Sequence, residues 1–232
     1  MFVNQLVKSS IIDHWEVKLR GEAAILTSTP YFKPAFMSLT KPHTIWSSCG
    51  SNPFECHKAV IAARMLSGRY LTDRLQRHWT QNKSGNCLLP ACASSQSEGS
   101  LEHLLLYCPA LNHTRTKLLE LCARVSSESE QLSLITQHVF HSDDPQVVMH
   151  FLLDCSTMAI TITATQLFGQ EVLDRLLYIG RTWCYSIHRE RMNQLRLLKF
   201  RWTKHSIIKN EHSKKLHVKI IIIGLSWFEI NR

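Results

Sequence analysis

The chain has 232 residues, 44% of them hydrophobic, which is ordinary for a folded protein of one or two domains. No segment reaches the roughly 18 continuous apolar residues a membrane span needs, and no signal-peptide pattern precedes the eight cysteines. This argues against a disulfide framework and predicts a reducing, intracellular location, with the nucleus among the candidates. The formal net charge of +9 sits at one end: positions 1–180 hold 15 Lys or Arg against 15 Asp or Glu, and positions 181–232 hold 12 against 3.

Positions 5–26 read as a helix. Leu6, Ile11 or Ile12, Trp15, Leu19 and Ala23 fall near a 3.6-residue period, and the expected role of that stripe is packing. Positions 28–51 are irregular, broken by Pro30, Pro34 and Pro42. Asn52 then supplies an N-cap and Pro53 a first helical residue, and Gly68 a left-handed stop after Ser67. The apolar stripe of this helix is Ala59, Ala62, Ala63 and Leu66. Thr72 caps a second, short helix reaching Trp79. Arg64, Arg69, Arg74 and Arg77 are interleaved here with Tyr70 and Trp79, and basic groups beside aromatic rings can hold phosphates and stack on bases. The plain alternative is a helix pair with its aromatics in the core and its arginines in water.

The next stretch carries the most specific chemistry. Cys87, Cys92, His103 and Cys108 form a Cys-x4-Cys-x10-His-x4-Cys set. The first pair lies on a knuckle containing Pro90. A polar loop follows, and then a helical turn over 102–107 that Pro109 ends. Zinc takes four soft or borderline ligands in a tetrahedron, and three thiolates with one imidazole meet that need. The loop over 93–100 has almost nothing apolar with which to bring its own ends together, which favours a metal clasp. The alternative has His103 and Cys108 as core residues and Cys87 and Cys92 as free thiols.

An amphipathic helix over 111–125 follows, with Leu111, Leu118, Leu121 and Cys122 apolar. His113 and Cys122 are spare ligand types that read as ordinary helix residues. After a polar break at 126–129 comes a helix over 131–140. Asp144 and Pro145 then repeat the cap-and-proline start for a helix to about Leu153. Positions 157–165 alternate Met158, Ile160, Ile162 and Ala164 with threonine, a strand-like pattern; with no partner strand in sight, helix is the expectation. Positions 170–201 form the longest periodic segment. Val172, Leu176, Ile179, Trp183 and Ile187 make one face, and Arg181, Arg189, Arg191, Arg196 and Arg201 are expected on the other. Positions 220–230 read as a strand or a short helix.

The predicted fold is mainly α: an irregular helical bundle with a small embedded zinc-knuckle unit. Its segments are an N-terminal helix with a Pro-rich linker (1–51), a helix pair with the zinc knuckle (52–125), a helical C-terminal region (126–202) and a basic tail (203–232). A local excess of positive charge attracts polyanions such as nucleic acid or acidic membrane surfaces, and the plain alternative is a solvated basic tail.

Several islands resemble the region after the polymerase in non-LTR (LINE-like) retrotransposon proteins. They are Ser51-Asn52-Pro53-Phe54-Glu55; Met65-Leu66-Ser67-Gly68-Arg69-Tyr70; His78-Trp79; the Cys87, Cys92, His103, Cys108 set with Leu101-Glu102-His103-Leu104-Leu105 and Cys108-Pro109; and the stretch from Arg181-Thr182-Trp183 to Arg189-Glu190-Arg191. The resemblance runs from about Ile11 to Trp202. It implies a zinc-knuckle-bearing helical part that helps a reverse transcriptase hold RNA or target DNA, with Cys87, Cys92, His103 and Cys108 as Zn²⁺ ligands. The polymerase portion of that family has no counterpart here. No Asp-Asp pair lies in an apolar strand context to hold Mg²⁺, and Asp143-Asp144 reads as a helix cap.

The functional expectation is a non-catalytic fragment that binds RNA or DNA, through Arg69, Arg74, Arg77, Trp79, Arg181, Arg189, Arg191 and Arg196, with no small-molecule substrate. The competing expectation is a structural or protein-interaction module in which zinc only staples helices. Catalysis ranks last, because four protein ligands close the site that a zinc hydrolase would keep open.

Overall fold

The computed structural model describes residues 2–25, 31–36, 38, 40–47, 49–76, 84–92 and 94–211. Among them the chain is mainly helical. The helices are α1 (Phe2–Ile25), α2 (Thr44–Ser47), α3 (Pro53–Leu66), α4 (Asp73–Gln76), a π-helix (His103–Tyr107), α5 (Asn112–Ser126), α6 (Glu130–Phe140), α7 (Pro145–Asp154), α8 (Ala159–Phe168) and α9 (Gln170–Glu211). The described residues form no sheet, only an antiparallel bridge between Asn86 and Glu98. The chain divides into two compact units, Met1–Asn193 and Gln194–Arg232. The segment boundaries read near 51 and 125 fall at turns within the first unit. Arg77, Trp79 and positions 212–232, with the segment 220–230, lie outside the described residues, while the start of the expected basic tail, 203–211, continues α9.

Helix starts follow local hydrogen-bond chemistry. Free N–H groups in a first turn need acceptors, and short polar side chains supply them. Asn52 accepts from the Phe54 N–H at 2.9 Å, with Pro53 at the first position of α3. Thr72 Oγ1 accepts from Leu75 N at 3.1 Å. Ser129 Oγ accepts from Leu132 N at 3.2 Å, and Asp144 from Gln146 N at 2.8 Å, followed by Pro145. The threonine-rich segment is helical as α8. Thr165 donates its hydroxyl to the Thr161 carbonyl at 2.7 Å within this helix, while the buried Thr161 hydroxyl has no partner among the described residues.

The core of the first unit forms around α9. Leu176, Ile179, Trp183 and Ile187 are buried along one stripe. Phe151, Leu152 and Met149 of α7, Ala59, Ala62 and Met65 of α3, and Leu104 and Leu105 of the π-helix are buried too. Gly180 lets α7 and α9 approach closely: a Cβ there would stand 2.6 Å from the Leu152 carbonyl oxygen. Among the described residues no single helix is long and apolar enough to cross a membrane. One bent pair, Pro145–Thr157 with Ala159–Phe168, passes by length and composition alone, and the first of its helices lies in the core.

Two expectations are corrected here. The apolar stripe of α1 does not enter the core. Ile11 and Trp15 are exposed, and Leu19 and Ala23 only half-buried. The turn Pro34–Phe36 packs on this helix, and Ser38 Oγ donates to Glu16 at 2.9 Å. Second, Arg181 and Arg191 do not lie on a solvent face, being 3% exposed each. The reason is that α9 is enclosed on several sides, so residues off its apolar stripe also meet protein. Arg181 lies 3.9 Å from Glu55 of α3, and Arg191 pairs with Asp73 of α4 at 3.1 Å.

Candidate metal centre

Four local devices bring Cys87, Cys92, His103 and Cys108 together. First, Gly85, at φ +80°, starts a short strap in which Gly99 N donates to Gly85 O and Cys87 N to Ser97 O, both at 2.8 Å. The strap carries Cys87. Second, a 3₁₀ turn over Pro90–Cys92 aims Cys92 back at it, and Cys92 N donates to Leu89 O at 2.9 Å. Third, Ser100 caps the next helical turn, its Oγ accepting from His103 N at 3.1 Å.

The fourth device is the π-helix. His103 and Cys108 are five residues apart. On an α-helix of 3.6 residues per turn that spacing leaves side chains about 140° apart around the axis. Here the turn widens and Cys108 N donates to His103 O at 2.6 Å, an i→i+5 bond. The wider turn carries residue 108 back toward residue 103, and Cys108 leaves the helix at ψ 113° before Pro109. The helical turn expected over 102–107 is therefore present, but in the one helix form that suits a four-residue gap between ligands.

All four candidate donor atoms lie within 4.8 Å of one another and form a buried group that can hold a metal ion. Cys87, Cys92 and Cys108 are 5%, 1% and 0% exposed, while His103 as a residue keeps some accessible surface. The Sγ atoms of Cys87 and Cys108 are 3.9 Å apart, and those of Cys92 and Cys108 are 3.4 Å apart. Cys92 Sγ lies 3.5 Å from His103 Nε2. A tetrahedral zinc with sulfur at about 2.3 Å and nitrogen at about 2.0 Å needs edges of about 3.8 Å between sulfurs and about 3.5 Å from sulfur to nitrogen. The spacings fit a central ion, and they are far too long for a disulfide, whose sulfurs sit about 2.05 Å apart. All eight cysteines are free.

The electrostatics agree. Without an ion the three thiols crowd one dry space. Cys87 is pushed well up, first by its hydrogen bond with Cys108 and then by burial. Cys92 is raised by burial, and Cys108 is lowered by its contact with Cys87. Three simultaneous thiolates therefore need a cation among them. Burial, and then the charge of Arg115, hold His103 below its ordinary range, so its imidazole is neutral at neutral pH, as a ligand must be.

Arg115 provides a separate test. It comes from α5, is 8% exposed, and donates to the Cys108 carbonyl at 2.5 Å. Its Nη2 also reaches Asn112 Oδ1 at 3.5 Å, and among the described residues its Nη1 has no hydrogen-bond partner and no carboxylate pairs with it; the groups that favour its charge are Cys108 and Cys92. A buried guanidinium without an anion is costly. Three thiolates and one imidazole around a divalent ion carry a net charge of −1, which supplies the missing anion. The donor set and the orphaned cation fit the same group.

The knuckle is fastened to the rest of the first unit by groups that the sequence did not single out as site residues. Asp73 accepts from Leu88 N at 3.3 Å with one oxygen and pairs with Arg191 through the other. The Trp183 indole N–H donates to Leu105 O at 3.3 Å, and its ring stacks on Phe140. Gly99 packs so close to Asp73 that a Cβ would come within 2.6 Å of the Asp73 Cβ. Periodicity places Trp183 in the core, but no spacing rule marks Asp73 or Arg115 as neighbours of a metal.

The other expected site residues are dispersed. Arg69, Arg74 and Arg189 are exposed, and Arg74 pairs with Glu98 at 3.2 Å. Arg196 is exposed in the second unit. Tyr70 is buried and hydrogen-bonded to His188 at 3.1 Å. His113 is exposed, and Cys122 is a buried thiol outside the four-residue group.

No family model, curated protein or solved structure matches this chain. The metal centre therefore stands on its own geometry.

Proposed function

We propose that this chain is a zinc-stapled, non-catalytic nucleic-acid-binding fragment of a retrotransposon reverse transcriptase protein. The observation that carries the zinc is the closed set of three thiols and one imidazole at tetrahedral spacing. A site closed by four protein ligands leaves no open position for water or substrate, so the metal's role is structural. Nucleic-acid binding is supported by the exposed arginines Arg69, Arg74, Arg189 and Arg196, by the +9 charge and by the residue strings that resemble the retrotransposon family. Binding to phosphates through such groups releases counterions and weakens steeply with salt.

A second reading has its own support. Arg181 and Arg191 are used inside the protein, and α1 exposes Ile11, Trp15 and Val17. Both features suit a protein-interaction module. Two measurements on the purified chain separate the readings. Metal analysis is expected to give about one zinc per chain, lost in Cys108→Ser. Labelled RNA and DNA are then titrated across salt concentrations. The first reading predicts a linear fall of log affinity with log salt, and a loss of about tenfold or more in the Arg69→Glu, Arg189→Glu double variant. Unchanged affinity in that variant leaves the interaction module standing.

A further inference from the structure

We propose that Cys49 and Cys56 form a reversible dithiol–disulfide site, separate from the metal centre, which low-molecular-weight disulfides such as oxidised glutathione oxidise. The two sulfurs lie 3.5 Å apart. Neither belongs to the four-residue metal group, and among the described residues no other cysteine pair outside that group comes as close. The two differ in access. Cys56 is partly exposed on the first turns of α3, while Cys49 is buried. A reagent meets Cys56 first, with Cys49 held behind it as the resolving thiol.

The backbone between them can make the closure. Gly50 adopts φ +57°, a conformation glycine tolerates readily, and nothing lies within 4 Å of where its side chain would be. Closure needs the sulfurs to move from contact at 3.5 Å to bonding distance, about 2.05 Å, and the Cys49 thiol to leave its bond to the Trp46 carbonyl. Burial, and then the neighbouring Cys56 thiol, raise the Cys49 thiol, and the charge of Arg181 opposes that shift without reversing it, which suits Cys49 to the second, resolving step rather than the first attack.

The electron count closes within the two cysteines and the reagent. The Cys56 thiolate attacks one sulfur of oxidised glutathione, releases one glutathione thiol and forms a mixed disulfide. Cys49 loses its proton, attacks the Cys56 sulfur and expels the second glutathione. Two electrons pass to the reagent, and one disulfide replaces another. The new bond joins the turn after α2 to α3 beside Glu55, which pairs with Lys58 at 2.7 Å.

The experiment uses the full chain supplied with zinc, treated with oxidised glutathione, quenched in acid and mapped by mass spectrometry. The expected main product is a crosslink between Cys49 and Cys56, lighter by about two mass units for the two hydrogens lost, with Cys87, Cys92 and Cys108 unmodified. Cys49→Ser should accumulate glutathione on Cys56, because the second step is missing. Stable glutathione on Cys56 of the unaltered chain overturns the proposal. So does oxidation that appears first at the metal-group cysteines, or a Cys49→Ser variant that retains no glutathione.

Discussion

Three thiolates around a divalent ion leave one negative charge, and the guanidinium of Arg115 is the buried cation beside it. Arg115→Met keeps much of the side-chain volume and removes the charge and the bond to the Cys108 carbonyl. Its zinc affinity, read by competition with a coloured chelator, is expected to fall by about 10–100-fold, the usual effect of losing an outer-shell partner. Helical circular dichroism at saturating zinc should be unchanged. A second residue acts through pH. His150 is hydrogen-bonded to Thr157 at 2.8 Å. Burial, then Lys33, lower its pKa, with Asp154 opposing. The unfolded chain therefore binds this proton more readily than the folded one. Stability from this group is complete above the unfolded value of about 6.5 and is lost as pH falls below it, until the lowered folded value is reached. His150→Gln should flatten the part of the stability difference between pH 7.5 and pH 5.5 that the unaltered protein shows in urea titrations.

Among the elements, the π-helix and the α7–α9 crossing do most to position the site. The caps at Asn52, Thr72 and Asp144 were legible because each depends on a polar residue and its next few neighbours. The π-turn was not. Its residues read as one ordinary helical turn, and the wider turn is visible only in the structure, where it brings His103 and Cys108 into the same buried group. The α7–α9 contact depends on Gly180 meeting Leu152. Gly180→Ala places a methyl group 2.6 Å from a backbone carbonyl that cannot rotate away, so the helices must separate. The expected cost is about 1–3 kcal/mol by urea unfolding, the usual range for overpacking a filled core. This loss should outweigh the helix-propensity gain of about 1 kcal/mol that alanine brings over glycine. A neutral or stabilising result would mean that the helices do not cross at this distance.

For the first unit as a whole, the metal centre and the core share their fastenings. Asp73 joins the knuckle to Arg191, and Trp183 joins Leu105 to the stack with Phe140. Removing the ion leaves Arg115 facing thiols that regain their protons, and frees a loop with little apolar surface. Chelation should therefore lower the melting temperature of the whole unit rather than fray one edge. At about 2–4 °C per kcal/mol for a protein of this size, and with more than about 3 kcal/mol lost, the drop should exceed about 6 °C. Zinc added back should restore it. Chelator that leaves the melting curve unmoved would detach the centre from the fold.

The sequence by itself determined the Cys/His set that can hold a metal ion, the mainly helical class, the cap positions and the buried stripe Leu176, Ile179, Trp183 and Ile187. The caps and the stripe depend on residues within a few turns of one another, where backbone hydrogen bonds and helical period decide the outcome, and the Cys/His set was legible from its residue types and spacing. Only the tertiary structure decided which polar groups would be enclosed. Arg189 faces water while Arg181 and Arg191 do not, although a one-faced view of α9 treats the three alike. Trp15 stays exposed on a helix whose period resembles that of a buried one. Burial depends on what arrives from elsewhere in the chain: Glu55 on α3, Asp73 on α4 and the knuckle converge on α9, and far less converges on α1.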